Sequence, residues 1–275
     1  MPARRAEYWR CCTISSNDRR LIVRFSSLGS GSRGNATLVE QGRTCVLVDC
    51  GFSVVEIERR MGRLGRHPSE LTAIVVTHEH SDHISGVARL TRKYSTPVWM
   101  TPGTADAPAA LELNSFQPIT GYGVFEIQDL QVYPFPVPHD AREPSQFVFS
   151  NGVHRLGFLT DTGSITDHIV NKLNGCGALF LECNHDRKML ADGPYPEALK
   201  RRVGGRFGHL DNGQAATLLR RLDSNQLQHV VAGHLSEKNN KPQMARAALA
   251  EALGCSHDWI EVADQAHGLA WRELT

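Results

Sequence analysis

The densest chemistry in the chain lies in Thr77-His78-Glu79-His80-Ser81-Asp82-His83. Imidazole and carboxylate are the donors that suit zinc, manganese or iron. An apolar, β-branched run, Leu71 to Val76, precedes them and reads as a buried strand. After them Ile84, Val87, Ala88 and Leu90 recur at helical spacing towards Tyr94. The donors therefore sit on a tight strand-to-helix loop. In an extended segment His78 and His80 point to the same side, because side chains alternate with a period of two. Asp82 and His83 fall where the chain turns into the helix and aim at a neighbouring point. Donors this close cannot readily surround one ion, but they can hold two adjacent ones. A polar loop that merely happens to be rich in histidine is the weaker account of H-x-H-x-D-H at a strand's end.

The elements that must position this loop follow in order. Leu21 to Leu28 and Asn35 to Glu40 read as strands. Between them Gly29-Ser30-Gly31-Ser32-Arg33-Gly34 formally matches G-x-G-x-x-G. A dinucleotide fingerprint must open a helix, and here a strand follows, so the match is read as false. The segment is expected to be a hairpin, with a phosphate-touching backbone nest as the alternative. Thr44 to Val48 is a third strand ending in Asp49, either a turn residue or the partner that orients a metal-bound histidine. Ser53 to Leu64 is an amphipathic helix, Pro97 to Met100 a strand, and Asp106 to Phe116 a helix. Phe125 to Val137 carries two strands, the second leading to His139. Gln146 to Phe149 and His154 to Leu159 form a hairpin that ends at Thr160-Asp161. Ala178 to Leu181 runs into Glu182-Cys183-Asn184-His185-Asp186. Helices over Glu197 to Arg202 and Gly213 to Leu222 precede Val230 to Ala232, which leads to His234. Gln243 to Leu253 is the last helix, and Trp259 to Val262 with Gly268 to Arg272 are expected to pair as closing strands. Five apolar strands thus end in His or Asp, at His78 with His80, His139, Asp161, His185 and His234. Strands running the same way in packed sheets bring such ends to one edge, so these residues point to one polar site.

With 275 residues, the chain can bury one sizeable core of α/β or sandwich type. Residues 21–275 read as a single domain, and the basic stretch 1–20 as a disordered leader or an upstream extension without the apolar segment of a signal peptide. A net charge of +1 provides no global pull towards nucleic acid or anionic membrane. No run approaches the roughly 18 apolar residues of a membrane span. The seven cysteines show no C-x-x-C spacing and fit a reducing cytoplasm.

These residues resemble the metallo-β-lactamase superfamily from about Leu21 onward. Three stretches, Leu28 to Thr37, Glu182 to Asp186 and Gly233-His-Leu-Ser-Glu-Lys-Asn-Asn240, are similar to the WalJ/YycJ-type branch of bacterial metallohydrolases, which is associated with 5′-to-3′ exonuclease activity on DNA. The resemblance implies an α/β fold, an αββα sandwich of two mixed β-sheets flanked by helices. It implies two divalent ions, zinc or manganese with iron as a further option. His78, His80 and His139 would hold one ion, Asp82, His83 and His234 the other, and Asp161 would bridge them. Cys183 stands where serine or alanine is common in the branch, and Asp211 replaces a usual serine. The spacing from Asp161 to His234 leaves no room for the extra domain of β-CASP nucleases, and no long tRNA-gripping arm is evident.

Paired ions activate water near pH 7 and stabilise charge on the oxygens of a phosphodiester. On that reading Asp82 also orients the attacking hydroxide, and His185 or His209 protonates the leaving oxygen or binds the scissile phosphate. Both histidines also have an ordinary reading as loop polar groups. DNA is the expected partner, met by Lys200-Arg201-Arg202 and Arg206 if these share the active-site edge; otherwise they form a solvated helix face. The alternatives are a small-molecule ester, thioester or cyclic-phosphodiester hydrolase with the same metals, and a metal-bearing scaffold without activity.

Overall fold

The computed structural model describes residues 22–110, 112, 113 and 115–275; the leader read over residues 1–20, and Leu21, lie outside them. The chain opens on antiparallel strands β1 (Val23–Gly29), β2 (Ala36–Gln41) and β3 (Thr44–Val48). The same sheet continues in parallel through β4 (Ala73–Val75), β5 (Val98–Met100) and β6 (Gln117–Pro118). Parallel neighbours need crossovers, which are supplied by α1 (Val54–Arg63), α2 (Ser81–Ile84), α3 (Val87–Tyr94) and α4 (Pro102–Ala105). The second sheet repeats the scheme. β7 (Phe125–Ile127), β8 (Leu130–Pro136), β9 (Ser145–Ser150) and β10 (Arg155–Leu159) are antiparallel. β11 (Ala178–Glu182), β12 (His229–Gly233) and β13 (Ile260–Val262) then add in parallel. Their connections carry α5 (Asp167–Leu173), α6 (Arg187–Asp192), α7 (Glu197–Val203), α8 (Asn212–Arg221) and α9 (Pro242–Leu253). β14 (Arg272–Leu274) returns to pair with β1, so that among the described residues the first sheet, like the second, has seven strands.

Strands covered on both faces read as unbroken apolar runs. Val46, Val48 and Val75 meet Phe147, Phe149 and Phe180 between the sheets. Leu47, Ile74 and Val76 pack outward against Ile57, Met61 and Leu90 of α1 and α3. On the other flank Leu179 and Leu181 pack against Ile169, Leu219 and Leu249 of α5, α8 and α9. The layers are helix, sheet, sheet, helix, which is the αββα sandwich of two mixed sheets expected from the sequence. Among the described residues no helix is long and apolar enough to cross a membrane.

Three local expectations need correction. The helix read over Asp106 to Phe116 does not form; among its described residues there is only a 3₁₀ turn, Pro108–Ala110. Pro108 lacks an N–H and drives Ala107 out of helical geometry, so the chain leaves α4 at Ala105. The two closing strands do not pair with each other. β13 joins the second sheet and β14 the first, because the chain crosses between them at Asp264–Gly268, where Gly268 has φ +71° and Leu269 N–H donates to Ser27 O. The helix read from Ile84 is cut at Gly86, whose N–H donates to Cys50 O at 2.8 Å. A Cβ at that glycine would collide with the carbonyl of Phe52.

Candidate metal centre

The first half of the site hangs on Asp49, which ends β3 in the left-handed conformation at φ 60°. Its Oδ1 accepts from Thr77 N–H at 2.8 Å, and its Oδ2 from the Nδ1 of the buried His83 at 2.7 Å. Thr77 Oγ1 donates to the same carboxylate and lies 3.0 Å from His78 Nδ1. Asp49 therefore orients His83 directly and His78 through Thr77, the second of the two roles weighed for it. His80 Nε2 donates to Asp140 O at 3.2 Å, and His139 Nδ1 to Gly208 O at 3.0 Å. Each imidazole thus has one nitrogen tied to a protein oxygen and turns the other inward. The loop itself is pinned by Asn35 N–H to Asp82 O and Cys50 N–H to His83 O, both at 2.7 Å. Gly51 makes that approach feasible, since a Cβ there would collide with the Asp82 carbonyl.

The second half comes from strand ends. Asp161 follows β10 and His234 follows β12, again left-handed, with φ 50° and 53°. Non-glycine residues held this way cost on the order of 1–3 kcal/mol each and cluster where function demands a fixed direction. Asp161 Oδ2 lies 3.2 Å from His83 Nε2 and 2.9 Å from His234 Nδ1, and its Oδ1 lies 4.0 Å from His139 Nε2. Asp82 Oδ2 stands 3.4 Å from His83 Nε2 and 3.6 Å from His234 Nε2. Among the described residues, ligand-type atoms gather in four overlapping groups within 4.8 Å: His78, His80 and His139; Asp82, His83 and His234; Asp161 with His78 and His83; and Asp161 with Glu182, His209 and His234. The sequence reading missed Glu182 as a member. It is fully buried at the end of β11, accepts from the Thr162 and Leu210 N–H groups at 3.0 and 3.1 Å, and holds His209 Nδ1 at 2.8 Å. A lone acid closing an apolar strand, Phe-Leu-Glu, was the available signal.

The electrostatics of this cluster fit a cation. Burial, helped by the charge on His83, pushes His78 well below the usual histidine range, and burial lowers His139 too. Burial opposes charge on His83 and His234, but the carboxylates around them together outweigh it, Asp161 first with Asp49 and Asp82 for His83 and with Asp82 and Glu182 for His234, so His83 is raised well above its usual range and His234 to about 10. Burial raises Asp161 in turn, yet the charges of His234 and His83 hold it well below the carboxylate range. Protons thus stand where a divalent ion would place positive charge. His78 Nε2 is buried without a hydrogen-bond partner. Asp161 Oδ2 and His234 Nδ1, although close, make no well-directed hydrogen bond. Unpaired buried donors of this kind are what a bound metal satisfies.

The cluster opens into a cleft of about 350 Å³ lined by His80, Asp82, Asp161, His209, His234 and Arg202, among others. His209, singled out from sequence, is therefore in place. His185 is not, and lines a separate cleft with Lys200 and Arg201. Beyond β11 successive side chains point to opposite sides, so Asn184 faces the metal cleft and donates to His234 O, while His185 faces away. The basic strip is divided likewise. Arg202 lines the cleft at the candidate metal cluster and pairs with Asp140 at 2.5 Å, whereas Arg206 lines neither cleft. The glycine-rich segment is the hairpin expected. Its Ser30 Oγ accepts from His234 N–H at 2.8 Å, and Asn35 donates to Asp82 Oδ2 at 3.2 Å, so one loop ties donors of both sheets together. Cys183 is buried in the core and Asp211 caps α8, accepting from Gln214 N–H, so neither departure reaches the metal donors.

Fold and site define a class before any particular relative does. Residues 44–234 match the beta-lactamase superfamily domain. The crystal structure of the metallo-beta-lactamase fold protein YhfI from Bacillus subtilis superposes with a TM-score of 0.72 at 15% identity, covering 92% of this chain and 99% of that one. Exodeoxyribonuclease YycJ of Bacillus anthracis is 35% identical over 237 residues, 84% of this chain and 89% of the relative. Exodeoxyribonuclease WalJ of Streptococcus pneumoniae serotype 2 is 32% identical over 84% of this chain and 88% of its own length. The chain belongs to the metallo-β-lactamase superfamily and, within it, to the YycJ/WalJ family.

Proposed function

We propose that this chain is a dinuclear metal-dependent hydrolase that degrades DNA as a 5′-to-3′ exodeoxyribonuclease. His78, His80 and His139 would hold one divalent ion, Asp82, His83 and His234 the other, with Asp161 shared between them. The donor set suits zinc or manganese, with iron a further option. Ions bound there supply a water acidified to near neutral pH and positive charge beside the phosphoryl oxygens. Asp82 orients the attacking water: burial raises its pKa, but the charges on His83 and His234 keep it ionised. His209 is the proton donor. Burial lowers its pKa, but Glu182 and Asp161 more than restore it, so the net shift is upward and favours the protonated form. With Nδ1 held by Glu182, Nε2 is the atom that delivers the proton to the leaving oxygen.

The observation that carries DNA as substrate is the 35% identity, over 84% of this chain, to a protein named as an exodeoxyribonuclease. The described cysteines are free thiols, which suits a reducing cytoplasm. The test is digestion of end-labelled duplex DNA bearing a 5′-phosphate or 5′-hydroxyl, beside single strands and RNA, with manganese or zinc added and Asp161→Ala as control. Stepwise loss from 5′ ends, absent in the control, is expected. A metal-loaded enzyme that cleaves no nucleic acid would transfer the proposal to a small ester or thioester.

A further inference from the structure

The cleft that takes His185 has no part in the chemistry above. It measures about 430 Å³, and α7 forms the ridge between it and the metal cleft. Leu199, Arg202 and Val203 line the metal side, while Glu197, Lys200, Arg201 and Gly204 line the other. Both sets recur at three- and four-residue steps, so each occupies its own face of the helix.

The charge in this second cleft does not cancel. Arg187 pairs with Asp211, whose other oxygen caps α8, and Lys200 pairs with Glu197 at 3.1 Å. Arg201 is exposed and has no carboxylate partner among the described residues. His185, only 2% exposed, lines the same cleft, and its Nδ1 has no hydrogen-bond partner. Leaving that buried atom as a lone pair puts the ring proton on Nε2, which lies on the side of Gly204, a residue with no side chain of its own. Gln214 spends its amide oxygen on Asp211 N–H, and its NH₂ remains to donate. A guanidinium fork, an imidazole N–H and an amide NH₂ around one net positive charge recognise a phosphate group.

We propose that this cleft is a phosphate subsite for the DNA strand, binding a backbone phosphate of the strand whose scissile phosphate lies in the metal cleft. The proposal rests on the nuclease reading. One helix diameter, about 10–12 Å, separates the two clefts, so a strand needs more than one internucleotide phosphate to reach both. A dinucleotide is too short to reach both; a dodecamer spans them.

The experiment compares the manganese-loaded wild type with Arg201→Glu and Arg201→Lys on three substrates: a dodecamer, a dinucleotide and bis(p-nitrophenyl) phosphate. Arg201→Glu is expected to raise KM about tenfold on the dodecamer, with kcat held and the two short substrates unaffected. Arg201→Lys should recover part of the loss, and the salt dependence of dodecamer binding should flatten by about one ion in the charge-reversed variant. Equal KM on the dodecamer, or an equal loss on all three substrates, would overturn the subsite while leaving the nuclease intact. A wild type that hydrolyses the small diester but no DNA would remove the nuclease reading and the subsite with it.

Discussion

In the first sheet one loop carries every donor, with His78, His80, Asp82 and His83 set within a single strand-to-helix turn. In the second sheet each donor arrives on a different strand: His139 after β8, Asp161 after β10, Glu182 at the end of β11 and His234 after β12. A contiguous motif is held by a few bonds to its own neighbourhood, here Asp49, Asn35 and Cys50. A dispersed set is held by the register of parallel strands and by left-handed residues that turn Asp161 and His234 inward. The first half is therefore contiguous in sequence and braced from the ends of β2 and β3 of its own sheet, whereas the second is assembled from strands far apart in the chain. Asp161 is where the halves meet, since it reaches His83 on one side and His234 on the other.

That contrast ranks the expected effects of substitution. Asp161→Ala removes the shared carboxylate and should lower DNA turnover by about a thousandfold or more, measured by the end-labelled assay; a residual rate near wild type would deny it the bridging role. Asp49→Asn keeps the volume but removes the charge that orients His83. Metal affinity should fall about 10–100-fold in chelator competition, and an unchanged affinity would mean that the first half does not need its support. Glu182→Gln acts on the second half. Since Glu182 raises His209 against burial, its loss lowers the pKa of His209, so the protonated acid is lost at a lower pH. The alkaline limb of kcat should move to lower pH, with kcat at pH 8 falling at least about tenfold. A profile that stays in place would exclude His209 as the acid. The smallest effect is on stability. With φ at 50°, position 161 suits glycine better than alanine, so metal-free Asp161→Gly should resist urea by about 1 kcal/mol more than Asp161→Ala.

The same contrast explains what the sequence disclosed. His78 to His83 declared themselves by spacing, because a local motif needs no fold to be seen. His139, Asp161 and His234 were visible as strand ends, but only resemblance to a family joined them into a ligand set. Glu182 escaped because its one local signal, an acid closing an apolar strand, does not reveal that the Thr162 and Leu210 amides will hold it beside His209. His185 failed for a related reason. Its strand was read correctly, but its side of the chain depended on where β11 stops and Asn184 turns in. The left-handed backbone at Asp49, Asp161 and His234 carries only a weak sequence signal, since Asp and His adopt it more readily than most side chains but far less readily than glycine. The closing strands misled because pairing partners are a property of the sheets and not of the segments.

The sharpest test of a centre shared between the sheets is the metal content of protein loaded with zinc or manganese and cleared of excess, measured beside Asp161→Ala. Two ions per chain are expected for the wild type, with fewer retained when the bridging carboxylate is gone. One ion per wild-type chain, or two retained without Asp161, would contradict a dinuclear centre held together at that residue.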